Sequence, residues 1–285
     1  MIIETRTLSA NGLAFTADCA GEGETVALLL HGFPESRASW RAQLPALAGL
    51  GWRVVAPDLR GYGDSSRPRG NTAYRIERLA EDVAALFDAL GAKRRILIGH
   101  DWGGVIAWHA ALTGPPLDGL VILNAPHPAR FRRALQTWDQ RRRSWYIAFF
   151  LLPWLPEWLL TRDDGRALAR GLKRQCPTMP DAALETLRRN IVAPGAATAM
   201  LAYYRANALR LNRDPPHPVP IACPTLLLWG EDDPYLGPAL AEGNEAFVQD
   251  LTVRRLPGVS HWTQQDAPAE VNRLVAEWAR AHGLA

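Results

Sequence analysis

The chain has 285 residues, of which 48% are hydrophobic and 21% charged, and a formal net charge of +3. No stretch is depleted of apolar residues, so a fully folded chain is expected, and the near balance of charge argues against nucleic acid as the main partner. Cys19, Cys176 and Cys223 are odd in number and lack CxxC or zinc-type spacing, which argues against both a disulfide framework and a bound metal.

In chain order, residues 2–8 and 13–19, joined by Asn11-Gly12, predict an antiparallel hairpin at a sheet edge. The first residues lack a basic region followed by an apolar stretch, so no signal peptide and a cytoplasmic location are expected. Short β-branched and leucine-rich runs at 26–30, 52–56, 95–98, 119–123, 225–229 and 252–256 predict strands buried on both faces, as in a parallel sheet. Helical periodicity over 76–90 and 268–281 alternates with them, which implies a doubly wound α/β sheet.

The pattern changes from residue 126 onward, where helical stretches such as 182–191 and 196–209 are separated by Pro and Gly. A core of residues 1–125 and 216–285 is therefore expected, with a helical lid inserted at 126–215. The apolar run 145–160 is broken by Pro153, Pro156 and Glu157 and is too short to cross a membrane. It is expected to be buried in protein or to face a pocket. Arg141-Arg142-Arg143 is expected to be a solvated helix face.

Gly99-His100-Asp101-Trp102-Gly103-Gly104 directly follows the strand 95–98 and precedes a helical run at 105–112. That is the strand, sharp turn and helix of a nucleophile elbow, with Asp where Ser is common. The competing reading is an Asp that merely caps the next helix. A serine attacking saturated carbon would leave an ether that water cannot readily cleave, whereas a carboxylate leaves a hydrolysable ester. Asp101 thus points to displacement at sp³ carbon.

The order nucleophile, acid, histidine requires an acid after a later strand and a His beyond it. Gly230-Glu231-Asp232-Asp233-Pro234 and Gly258-Val259-Ser260-His261-Trp262 supply both. The other six histidines fall before the acid or near the C-terminus, leaving His261 as the general base. Asp233 is taken as the orienting acid, although Glu231 and Asp232 compete within the same turn. The loop His31-Gly32-Phe33-Pro34 follows strand 26–30, so the amides of Phe33 and Trp102 are expected to form an oxyanion hole. The charged side chains in 57–65 are expected to tie loops together.

In this order, HGFPES, PDLRGYGDS, GHDWGG, WGEDDP and SHWTQQDAP resemble the soluble epoxide hydrolase branch of the α/β-hydrolases over most of the chain. The resemblance implies the α/β-hydrolase fold, a mostly parallel twisted sheet with helices on both faces and a helical lid. It implies hydrolysis of a small hydrophobic epoxide by water to a vicinal diol, with no cofactor. It also implies two lid tyrosines, matched by Tyr146 and Tyr204, whose phenols protonate the alkoxide released when the ring opens. Tyr203 and Tyr204 point about 100° apart on a helix, so both cannot face one cleft.

Haloalkane and fluoroacetate dehalogenases share several of these motifs. A haloalkane dehalogenase acting through the same Asp is one alternative, although Phe33 stands where one such group carries Asn. Fluoroacetate dehalogenases would carry arginines where Trp102 and Val105 stand. A non-catalytic binding module, and a membrane-associated enzyme for lipid epoxides suggested by the Trp-rich lid, are further alternatives.

Overall fold

The computed structural model describes residues 2–208 and 220–285. Its centre is an eight-stranded sheet of β1 (Glu4–Ala10), β2 (Leu13–Ala20), β3 (Thr25–Leu30), β4 (Arg53–Pro57), β5 (Arg94–His100), β6 (Gly119–Leu123), β7 (Thr225–Gly230) and β8 (Leu251–Leu256). The spatial order is β1-β2-β4-β3-β5-β6-β7-β8. β1 pairs antiparallel with β2, β2 pairs antiparallel with β4, and every later pairing is parallel. Asn11 and Gly12 both have positive φ, the backbone that a two-residue hairpin requires, and they place the expected hairpin at the sheet edge.

The apolar runs are continuous because the central strands are covered on both sides. Alternate β3 side chains face opposite ways. Val26, Leu28 and Leu30 pack with Leu79, Val83, Phe87 and Ile106 of helices Ile76–Ala89 and Trp102–Thr113. Ala27 and Leu29 pack with Leu44 of helix Gln43–Ala48 and with Val275 and Trp278 of helix Pro268–Ala281. β8 departs from the expectation of burial on both faces. It is the outer strand, and Arg254 and Arg255 are exposed on it.

Between β6 and β7 the described residues add helices but no strand to the sheet: Pro128–Ala134, Trp138–Arg143, Trp145–Phe150, Leu155–Thr161, Arg166–Gln175, Asp181–Val192 and Ala196–Asn207. The expected boundary at 215/216 and the end of the expected helix 196–209 lie outside the described residues. Helix Ala196–Asn207 is buried against the core and fastened at its end. Asn207 accepts from the Ile76 amide at 2.9 Å and donates to the Tyr74 carbonyl at 2.9 Å.

The expectation that 145–160 is buried or faces a pocket holds only in part, with Tyr146 and Ile147 lining a cleft. Phe150, Pro156 and Leu160 are buried, but Trp145, Trp154 and Trp158 are 66%, 72% and 56% exposed. Two short helices joined by a proline turn present only one face to the helix beneath them. The charged loop after β4 does tie elements together. Arg60 forms a buried ion pair with Asp82, and Arg37 pairs with Asp18, Asp58 and Asp64.

Candidate active site

The six residues from Gly99 to Gly104 run from the end of β5 into helix Trp102–Thr113, and Asp101 sits at the turn with φ 50° and ψ −118°. That conformation costs a non-glycine residue of order 1–3 kcal/mol and lifts its side chain clear of the sheet. The turn can be this tight because Gly103 has no Cβ; one there would fall on the backbone carbonyl of Leu30. The helix begins at Trp102, three residues before its apolar periodicity, so packing overrides the low helix propensity of the glycine pair.

The Phe33 amide donates to Asp101 Oδ1 at 2.8 Å. The Trp102 amide occupies the first position of the helix, where no intrahelical acceptor is available. On the other side, His261 Nε2 lies 3.6 Å from Asp101 Oδ2, and His261 Nδ1 lies 2.6 Å from Asp233 Oδ2. Among the three clustered carboxylates, Asp232 is exposed and Glu231 pairs with Arg255 at 2.8 Å. Asp233 alone is buried behind the imidazole, and its Oδ1 accepts the amides of Tyr235 at 2.7 Å and Leu236 at 2.9 Å.

The electrostatics follow from this arrangement. Burial would push the His261 imidazolium down, but Asp233 and Asp101 outweigh it and lift the pKa to about 10. Burial would raise the Asp101 carboxyl, yet the hydrogen bond and charge of His261, with the Phe33 amide, hold it below its ordinary value. Asp101 and His261 therefore rest as an ion pair.

Tyr146 and Tyr204 line a cleft with Asp101, whose walls also include Trp102, Val105, Phe131, Ile147 and Leu236. Their rings are 6.1 Å apart. Burial first, and the Asp101 carboxylate second, raise both phenols well above 10, so they stay protonated. Tyr203 is turned away, and its hydroxyl donates to the Arg60 carbonyl at 2.8 Å.

One contributor was missed in the sequence. Asn124, directly after β6, donates to Asp233 Oδ2 at 2.8 Å, to the same oxygen that faces His261. It also donates to the Gly230 carbonyl at 3.1 Å and accepts from the Gly230 amide at 2.8 Å. The only signal was a polar residue closing an apolar strand. A second layer lies behind the histidine. His100 Nε2 donates to the His261 carbonyl at 2.9 Å, which leaves Nδ1 to accept from Gln264 at 3.1 Å. Gln264 in turn donates to buried Glu35 at 3.0 Å.

A doubly wound sheet with an elbow at the end of its fifth strand, and a helical insertion after the sixth, defines an α/β-hydrolase whose elbow carries a carboxylate. A model of the α/β-hydrolase fold matches residues 26–268, and the chain belongs to that family. It is 35% identical to the AB hydrolase superfamily protein YfhM of Bacillus subtilis (strain 168), over 98% of both chains. It is 37% identical to epoxide hydrolase 4 of Homo sapiens, over 93% of this chain and 75% of that one. A crystal structure of an epoxide hydrolase mutant from Bacillus megaterium, complexed with its product (R)-3-[1]naphthyloxy-propane-1,2-diol, superposes with a TM-score of 0.89 at 29% identity. That likeness covers 96% of this chain and all of the other.

Proposed function

We propose that the protein is an epoxide hydrolase that forms a covalent ester on Asp101 and opens it with water. The observation that carries this reading is the pair of protonated phenols, Tyr146 and Tyr204, facing the carboxylate of Asp101 across an apolar cleft. Opening an epoxide produces an alkoxide, a poor leaving group in an apolar site unless it is protonated as it forms. A halide needs no proton.

In this mechanism Asp101 Oδ2 attacks an epoxide carbon, the C–O bond breaks, and a phenol donates its proton to the departing oxygen. Oδ1 becomes the carbonyl oxygen of the ester, already held by the Phe33 amide, with the Trp102 amide as the second donor. Esterification removes the negative charge of Asp101, one of the two that stabilise the His261 imidazolium. The imidazolium then gives up its Nε2 proton, which returns to the phenolate left by ring opening, and the neutral imidazole serves as the base for the attacking water while Asp233 holds its Nδ1–H. Collapse of the tetrahedral intermediate expels the alkoxide, which takes the proton of the newly added hydroxyl, so that a vicinal diol keeping Oδ2 leaves and the Asp101 carboxylate is restored beside the imidazolium. Asn124 acts as a positioning residue for Asp233.

Residues 126–215 are proposed as the lid that carries the tyrosines and keeps bulk water from the ester. Among the described residues no helix is long and apolar enough to cross a membrane. Cys19, Cys176 and Cys223 are free thiols, in keeping with a reducing compartment such as the cytoplasm. The relative from Bacillus megaterium with an aryloxy diol supports a hydrophobic substrate of comparable bulk in this cleft.

The test is a panel of styrene-type, aliphatic terminal and fatty-acid epoxides beside a haloalkane panel with halide detection. Diol formation without halide release is expected. Halide release without diol would replace the reading with a dehalogenase, and binding of epoxides without turnover would replace it with a binding module.

A further inference from the structure

We propose that the outer face of residues 138–159 docks the protein on an anionic lipid surface. This stands independently of the reaction assigned to Asp101. Five large apolar side chains of this stretch, Trp138, Trp145, Leu152, Trp154 and Trp158, are 79%, 66%, 45%, 72% and 56% exposed. Single exposed apolar residues are ordinary, but four exposed indoles within 21 residues are not.

The patch is built to stay presented. Arg205, from the buried helix Ala196–Asn207, donates to the carbonyls of Phe150 at 3.0 Å and Leu152 at 2.5 Å and pairs with Glu157, which clamps the turn between the two short helices. At the crest of that turn Trp154 holds φ at 48°, a left-handed conformation that bulky residues rarely adopt, and its indole faces solvent. Tyr146 and Ile147, next to Trp145, line the cleft, so the patch adjoins the route by which an apolar molecule would reach Asp101.

Charge selects the occupant. Residues 126–208 carry 14 Lys and Arg against 6 Asp and Glu, whereas the rest of the chain carries 18 against 23. Arg141 and Arg142, between Trp138 and Trp145, and Arg162 are exposed, Arg142 lies 3.5 Å from Asp139, and the Arg162 guanidinium lies 5.3 Å from the centre of the Trp158 ring. Exposed indoles and leucines on a stretch with a net excess of arginine suit the headgroup layer of a membrane with anionic lipids, where the rings enter the interface and the guanidinium groups meet phosphates. A second copy of the chain would instead oppose one basic face to another.

Co-sedimentation with vesicles tests the proposal, using phosphatidylcholine alone and phosphatidylcholine mixed with phosphatidylglycerol, at low and high salt. Binding is expected to the mixed vesicles and to weaken at high salt. Trp154→Ser/Trp158→Ser and Arg141→Glu/Arg142→Glu should each lower the partition coefficient by about tenfold or more, with thermal midpoints near that of the parent. Failure of the parent to bind mixed vesicles, or equal binding by parent and both variants, would overturn the proposal. A concentration-dependent dimer that the Trp variant dissociates, without vesicle binding, would overturn it in favour of self-association.

Discussion

Tyr203→Phe and Tyr204→Phe, adjacent substitutions that each remove one oxygen, are expected to have opposite consequences. The Tyr204 ring packs on Phe33, Phe150 and Trp102 at centroid distances of 5.5, 4.9 and 5.1 Å, and Phe preserves those contacts. What is lost is a proton donor to the alkoxide. A positioned general acid contributes about 10²–10⁴ in rate, and Tyr146 shares the task, so loss of Tyr204 alone should slow ester formation by about 10- to 100-fold. That is about 1.4–2.7 kcal/mol of barrier. The Tyr146→Phe/Tyr204→Phe double variant should lose about 10³-fold or more.

Tyr203→Phe instead leaves the buried Arg60 carbonyl without its 2.8 Å donor. That costs about 1–2 kcal/mol of stability and lowers the melting midpoint by a few degrees, with little effect on rate. Single-turnover kinetics and calorimetry on the three variants separate the effects. A slow Tyr203→Phe beside an unaffected Tyr204→Phe would refute the placement of these side chains. Normal rates for all variants, including the double, would refute acid assistance by the phenols.

His261→Gln should still form the ester but fail to cleave it, so intact-mass spectrometry should show enzyme plus one epoxide; Asp101→Ala should show no adduct and no turnover. Esterification weakens the stabilisation of the imidazolium, so ester breakdown should rise with pH through the lowered His261 pKa and then level off. Breakdown that falls as pH rises from about 6 to 8 would contradict a neutral imidazole base. Asn124→Ala removes a charge-assisted bond to Asp233 Oδ2, two bonds to Gly230 and one from the Thr263 hydroxyl, and should cost about 2–4 kcal/mol in stability. It should also shift the pH profile of ester breakdown while ester formation changes little, and an unshifted profile would limit Asn124 to a structural role.

Much of this architecture was legible because it rests on short-range rules. The Asn11-Gly12 turn announces its hairpin, and the strand at 119–123 and the helix at 268–281 have the limits their periodicity predicts. The elbow is legible because a strand, a glycine-flanked Asp and a helix lie within a few residues. Between the three carboxylates at 231–233 local pattern decides nothing. Asp233 is distinguished by its distance to a histidine 28 residues later and by an asparagine 109 residues earlier. The same limit hid Asn124. The exposure of 145–160 was misjudged because apolar content specifies a wish to leave water, whereas two short helices around a proline turn bury only Phe150, Pro156 and Leu160. β8 was misjudged because a short run cannot reveal that it lies outermost.

With Asp101 as the nucleophile, the oxygen delivered to the epoxide comes from its carboxylate and not from water. A single turnover in ¹⁸O-water, with enzyme in excess over epoxide, tests it most directly. The diol formed should be unlabelled, the peptide containing Asp101 should afterwards carry the label, and diol from later turnovers should be labelled. Labelled diol in the first turnover, with an unlabelled Asp101 peptide, would contradict covalent catalysis whatever the variants show.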